Sequence, residues 1–464
     1  MKWYLLLLST LYFISCNKQD FLDAKPDQAL IVPQSLDDLQ AILDNDAQMN
    51  GFPGGQGLVP HLGETGADNY YLLDETYNGT ITDPLFKSLY RWDQNVVFSE
   101  QLFDWNRPYI CILYANIVLD ALERLDVPPS DGHRAEQIRA AAKFYRAHAY
   151  YQLAQVFSAP YDPAHSTVTL GLPLRVTADI NESLSRANLE DTYQLILNDL
   201  IESIEALPTI VEVKMQPTKQ AAYGLLARTY QTMGDHDKAL LYAENCLDLQ
   251  NGLFDYNALN ANAAYPFLNS GIDEEIIFSS TMIGQNNQIP INVFRAKIDS
   301  VLYDSYENAD LRKHVFFMQA SPSGMRFKGS YHGHAHNFAG LAVDEIYLIK
   351  AESLARSGKI PEAMSILNEL LEARWDSEEV FVPLQADNAE IALDIVLQER
   401  RKELVFRGLR WTDIRRLNKE GRNIVLFRNL NGETLELSPN DARYTYPIPE
   451  IVMGFNPGYE QNTR

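Results

Sequence analysis

Cysteine is scarce in this chain. Cys16, Cys111 and Cys246 are the only three in 464 residues, so no disulfide-stapled framework holds the fold. Cys111 and Cys246 sit in apolar helical patterns and read as buried thiols, with a disulfide between them left open. Positive charge is also short, with 39 Lys and Arg against 62 Asp and Glu, a net charge of −23. No basic footprint remains for nucleic acid, nor a polybasic patch for anionic lipid. Signatures of catalysis are missing as well. There is no Gly-x-Ser-x-Gly, His-Glu-x-x-His, Walker loop or dinucleotide fingerprint.

What is present begins at the N-terminus. Lys2 supplies positive charge, Trp3 to Ile14 is apolar but for Ser9 and Thr10, and Ser15 puts a small residue before Cys16. That order is a secretion signal. The apolar run is too short for a membrane span, which needs about 20 residues. A cysteine at the cleavage point is the lipidation site of a bacterial lipoprotein, and stable anchoring takes two or more acyl chains. Residues 1–15 are therefore expected to leave as a signal peptide. Cys16 becomes the lipid-bearing end of a tether over 16–20, and the body of the protein is 21–464.

The body reads as mainly α-helical. Helical periodicity appears at 35–45, with Ser35 as N-cap, and at 109–124, 134–157, about 190–206 and 390–406. Two segments are alike. Residues 218–250 and 343–374 each show two helices meeting at a glycine, Gly234 and Gly358. Small residues at Ala227, Ala239 and Ala243, and at Ala351 and Ala363, stand where paired helices approach closely. The spacing is that of a tetratricopeptide unit of about 34 residues. Residues 251–342 separate the copies, which predicts that the repeats do not form a continuous solenoid. That insert carries Gly, Asn, Pro and Tyr with short strand-like runs such as Glu275 to Ser279. Residues 58–90 read as irregular, and Tyr446-Pro447-Ile448-Pro449 as extended.

Several runs, in order, resemble the SusD/RagB family of bacterial outer-membrane nutrient-binding lipoproteins. These are 17–23 (NKQDFLD) after the cysteine, 105–122 (WNRPYICILYANIVLDAL), 143–151 (KFYRAHAYY) with 171–174 (GLPL), the two repeat-like copies, 397–417 (LQERRKELVFRGLRWTDIRRL) and 446–462 (YPIPEIVMGFNPGYEQN). The resemblance implies tetratricopeptide-like hairpins over about 106–250 and 343–417. They would support a loop-rich subdomain with short β-strands: a ligand-facing part over about 21–105, the insert over about 251–342, and a tail over 418–464. It implies a binding protein rather than an enzyme, with no cofactor, lipid-anchored in the outer membrane at the cell surface. Such a protein captures an oligosaccharide or peptide and hands it to a TonB-dependent transporter of the SusC/RagA type.

The same resemblance places residues 63–71 (GETGADNYY) near the ligand. Tyr70 and Tyr71 suit stacking on a sugar or packing on a peptide, and Asp68 and Asn69 suit hydrogen bonds to hydroxyls or amides. Tyr77 and Trp92 are nearby candidates, and Asn286 and Asn287 form a second group. The competing reading is that these tyrosines pad the core and Asp68 caps a turn; the sequence leaves both open. His332, His334 and His336 would share one face of a strand, a spacing that suits a metal, but an exposed polar strand or turn is the preferred reading. The charges of 397–417, from Glu399 to Arg416, suit a web of ion pairs with Trp411 packed beneath. Arginines beside Glu399 and Glu403 would keep both carboxylates ionised, which spoils a general acid. Two other functions stay open at this point: a surface polymer hydrolase, and a repeat scaffold that binds only protein partners.

Overall fold

The computed structural model describes residues 33–51, 57–98, 102–284 and 288–464. Cys16 and the signal, and Asn286 and Asn287, lie outside the described residues.

Eleven of the helices among the described residues are numbered here. The first, α1 (Leu36–Leu43), begins with a full capping box: the Ser35 side chain accepts from the Asp38 N–H while the Asp38 carboxylate accepts from the Ser35 N–H. After α2 (Leu62–Gly66) come the long helices α3 (Phe103–Leu122), α4 (Gly132–Phe157) and α5 (Leu189–Ser203). The first repeat-like copy is α6 (Lys219–Met233) and α7 (His236–Leu249), and the second is α8 (Val343–Arg356) and α9 (Ile360–Glu372). Gly234 and Gly358 end the leading helices with φ of 80° and 75°, a conformation that costs glycine nothing. Then follow α10 (Ala389–Glu403) and α11 (Arg410–Lys419).

These helices stack pairwise from α3 through α4, α5, α6 and α7 to α8, and α8 packs on both α9 and α10. The contact of α7 with α8 corrects the expectation of an interrupted array. Residues 251–342 leave and re-enter at one level of the stack, so a break in the sequence is not a break in space. Ala227, Ala239, Ala243, Ala351 and Ala363 are all fully buried between the paired helices.

Strands are short and occur in pairs. β1 (Tyr70–Tyr71) lies antiparallel to β3 (Lys297–Ile298), and β2 (Ile276–Phe278) to β4 (Leu341–Ala342). β5 (Leu426–Leu430) and β6 (Glu433–Leu437) form a hairpin closed by Asn431-Gly432, both at positive φ. The region expected to be irregular, 58–90, instead holds three short helices, α2, Asp74–Gly79 and Pro84–Arg91. Turn residues at their ends (Asn78-Gly79, Asp83-Pro84) hide elements this short from periodicity. Cys111 and Cys246 are buried and free. Among the described residues no helix is long and apolar enough to cross a membrane.

Candidate functional site

The segment 63–71 is pinned by the far end of the chain. Helix α2 lies against Trp411 of α11, and a methyl group added at Gly66 would stand 2.7 Å from that indole. Only glycine lets the α2 backbone come this close to the indole ring. Beyond α2 the chain enters β1, where side chains alternate. Tyr70 turns into the core and Tyr71, half-buried, turns outward.

Burial corrects four of the expected ligand contacts. Tyr70 gives its hydroxyl to the Thr65 carbonyl, and the Trp92 indole N–H donates to the Gly66 carbonyl. The faces of both rings are occupied by Arg428, whose guanidinium sits 5.2 Å from the Tyr70 ring, 4.1 Å from Tyr90 and 4.3 Å from Trp92. The same guanidinium donates to the carbonyls of Tyr90, Thr65 and Ala67. Tyr77 is buried against Tyr90. Asn69 is buried and donates its amide to Glu64 at 2.8 Å. These residues hold the loop; their surfaces are already used.

Asp68 is partly exposed and doubly paired, with Arg410 at 2.7 Å and Arg401 at 3.2 Å. Burial alone would raise its carboxyl, but the guanidinium groups of Arg410 and Arg401 overcome that and hold it well below the usual carboxylate range. Glu64, fully buried in α2, accepts from Asn69 and from the Gly408 N–H at 3.1 Å. Burial outweighs those bonds and raises its carboxyl to about 7.

Outside this frame opens a cleft of about 1040 Å³. Tyr71 and Asp68 line it from the loop, Asp299 and Val301 from the insert, Arg401 from α10 and Phe427 from β5. Phe427 is 58% exposed, on the outward face of a strand whose Leu426, Arg428 and Leu430 point inward. Sequence reasoning missed it. The signal was there, in the alternation of 426–430 just before the Asn431-Gly432 turn. An exposed ring, a half-buried tyrosine and rim carboxylates can stack on and hydrogen-bond a polar ligand.

The charges of 397–417 are spent on structure. Arg312 bridges Asp310, Glu399 and Glu403 at 2.7, 2.6 and 2.9 Å. Arg374 links Glu275 and Glu403, Arg407 meets Asp344, and Arg416 grips Glu352 and Asp413. Glu275, Asp344 and Glu403 come close enough to share an ion. Each, however, is answered by a guanidinium, and Tyr331 donates to both Glu275 and Asp344. The three histidines lie in a turn rather than a strand. His332 meets the Thr281 hydroxyl, and His334 and His336 meet each other through Nδ1 at 3.2 Å.

Comparison with known proteins bears on the fold. The SusD-like family described as "Starch-binding associating with outer membrane" matches residues 20–231, and the SusD family matches residues 343–464. A SusD-like protein P2 of Formosa agariphila is 27% identical over 428 residues, spanning 76% of this chain and 80% of that protein. A second, SusD-like protein P38 of the same organism, is 30% identical over 122 residues, 25% of this chain and 22% of that protein. Among solved structures, a SusD superfamily protein of Bacteroides thetaiotaomicron superimposes with a TM-score of 0.74 at 21% identity, covering 93% of this chain and all of that one. A SusD-like carbohydrate-binding protein of Bacteroides fragilis gives 0.67 at 17% identity, covering 92% and 99%. At these identities the structures establish a shared fold.

Proposed function

This chain belongs to the SusD family, and on that premise we propose that it is a surface lipoprotein that captures an oligosaccharide in the Tyr71–Phe427 cleft. It then delivers the ligand to a TonB-dependent transporter of the SusC/RagA type. The observation that carries the proposal is Phe427, a large ring left open to solvent beside a half-buried tyrosine and rim carboxylates. Exposed aromatic surface beside polar groups is what sugar capture requires, since one ring face is apolar and its hydroxyls are not. Names given to relatives point the same way: the matching family is described as starch-binding and one structural neighbour as carbohydrate-binding.

Capture without chemistry fits the rest of the site. The two carboxylates a hydrolase reading would use, Glu399 and Glu403, are buried and held by Arg312. Lipidation at Cys16 would keep the body at the membrane, over its transporter.

Calorimetry against neutral oligosaccharides and short peptides tests the reading. Saturable binding of an oligosaccharide, weakened about tenfold by Phe427→Ala, is the expected result. A peptide bound in the same cleft would change the ligand class. No binding in either panel, or binding indifferent to Phe427, would sink the proposal. Cys16→Ala should leave affinity intact and release the protein from membranes.

A further inference from the structure

A second pocket, of about 630 Å³, shares no lining residue with the cleft and lies between the first turns of α3, the segment 173–180 and the C-terminal tail. Its apolar lining includes Tyr109, Ile110 and Leu113 of α3, Ile180, and Val452 of the tail. Ile180 is 71% exposed, so the apolar surface runs out to the rim.

The charge of this lining runs against that of the chain. Asp and Glu outnumber Lys and Arg by 62 to 39 overall, yet here Arg107 and Arg175 line the pocket and, among the described residues, no carboxylate does. Arg175 donates to the Asp179 backbone carbonyl at 3.2 Å, and Arg107 to the Gln48 side-chain oxygen at 3.2 Å. Neither makes a salt bridge among the described residues. Burial without a counter-charge lowers the Arg107 guanidinium. Both arginines are only half-buried, so a ligand can reach them. Tyr459 stands beside Arg175. Its hydroxyl has no hydrogen-bond partner among the described residues and lies open to the pocket. Burial pushes that hydroxyl up, and the nearby guanidinium groups of Arg175 and Arg186 oppose the rise.

The neighbouring charges are accounted for. Arg186 is spent on the backbone carbonyls of Gly171 and Glu460. Asp104 turns away to His61 at 3.3 Å, the Asp179 carboxylate accepts from the Asn181 N–H, and Glu460 is exposed. Cations beside apolar surface, with no carboxylate to answer them, attract an anion more strongly than they would in open water. The apolar surface selects an anion with an apolar body.

We propose that this pocket binds a small amphipathic carboxylate. Its carboxylate takes hydrogen bonds from Arg175 and the Tyr459 hydroxyl, and its apolar body lies along Ile110, Leu113 and Ile180. The planar fork of an arginine matches a carboxylate head. A concave space of this volume is that of a small-ligand pocket rather than of a flat patch offered to a membrane or a protein. The site is separate from the Phe427 cleft and does not depend on what binds there.

Octanoate, 1-octanol and acetate are the probes, titrated calorimetrically into the whole protein. Octanol has the chain without the charge, and acetate the charge without the chain. The expected result is saturable binding of octanoate, about tenfold or more tighter than either of the others. Arg175→Gln should weaken octanoate about tenfold. Tyr459→Phe should weaken it about threefold or more. It should leave the unliganded thermal midpoint unchanged, because the lost hydroxyl bonds to nothing among the described residues. Phe427→Ala should bind octanoate as the wild type does. Absence of saturable octanoate binding, an equal response to octanol or to acetate, undiminished affinity in Arg175→Gln or Tyr459→Phe, or loss of octanoate binding in Phe427→Ala would each overturn the proposal.

Discussion

Arg410 holds Asp68 through two parallel N–H bonds, Nε to Oδ1 at 2.7 Å and Nη2 to Oδ2 at 2.9 Å, across a sequence separation of 342 residues. The residue that sequence reasoning offered to a ligand is thus half of a fork that fastens the loop to helix α11. What Asp68 still presents to the cleft is a carboxylate fixed in place and kept ionised.

Asp68→Asn leaves Arg410 and Arg401 without their shared anion. Breaking a buried pair from one side costs several kcal/mol. Asp68 keeps 19% of its side chain exposed, so the expected loss is about 3 kcal/mol, at the lower end of that range. Urea denaturation at neutral pH measures it. A loss below about 0.5 kcal/mol would place the pair among ordinary surface salt bridges.

Glu64 gives stability a pH dependence of uncommon sign. Its folded carboxyl titrates near 7 against an ordinary 4.5. Between those values the folded chain holds a proton that the unfolded chain has released. Stability from this group is complete below the ordinary value and lost as pH rises through 7, by roughly 3 kcal/mol in all. Comparing unfolding free energies of the wild type and Glu64→Gln from pH 5 to pH 8 isolates it. The wild type should fall behind the variant as pH rises; a constant difference between them would refute the assignment.

Gly66→Ala tests the close approach of α2 to α11. The new methyl group would meet the Trp411 ring at 2.7 and 2.8 Å and the Tyr446 hydroxyl at 2.8 Å, and none of these is the end of a flexible chain. Overpacking of this kind costs about 1–3 kcal/mol. Because Gly66 also carries the carbonyl that receives the Trp92 indole, the Trp92 fluorescence environment should change together with the thermal midpoint.

Arg374→Leu removes the link between Glu275 and Glu403 and strands Glu275 beside Asp344, while Glu403 keeps Arg312. A loss of about 3–5 kcal/mol is expected near neutral pH. It should shrink on acidification, as the stranded Glu275 takes up a proton. A defect that is the same at pH 5.5 and pH 8 would mean that lost packing, not charge, was responsible.

Much of the helical stack could be read directly. Residues 134–157 were expected as a helix and α4 spans Gly132–Phe157; the two repeat-like copies fold as α6–α7 and α8–α9 with their turns at Gly234 and Gly358. Local signals suffice there, because caps and a 3.6-residue period lie within one segment. The ion-pair web of 397–417 was also legible as a type, since so many arginines and carboxylates in one run must be paired if buried. Its partners were not, because Asp310, Arg312, Glu352 and Arg374 come from other segments.

The site was legible only in part. Residue types singled out Tyr70, Tyr71, Tyr77 and Trp92, yet whether a tyrosine faces water or core depends on which neighbour covers it. Arg428 covers Tyr70 and Trp92, and nothing near either residue in sequence announces it. Alternation within β1 separates Tyr70 from Tyr71, but two residues are too few to show a period. Phe427 went unnoticed because a lone aromatic in a short strand looks like core until the hairpin's inward face is known.

The long reach of these contacts also sets an order of events. Glu64 meets Gly408, Thr65 meets Arg428 and Asp68 meets Arg410, each pair more than three hundred residues apart. Such contacts close large loops and raise contact order, so they form late and slowly. The helical stack can assemble from neighbours along the chain, but the cleft cannot. A chain that stops short of residue 400 would still carry both repeat-like hairpins and much of the core, yet residues 63–71 would lack these contacts. The cleft is therefore complete only when the final segment of the chain is in place.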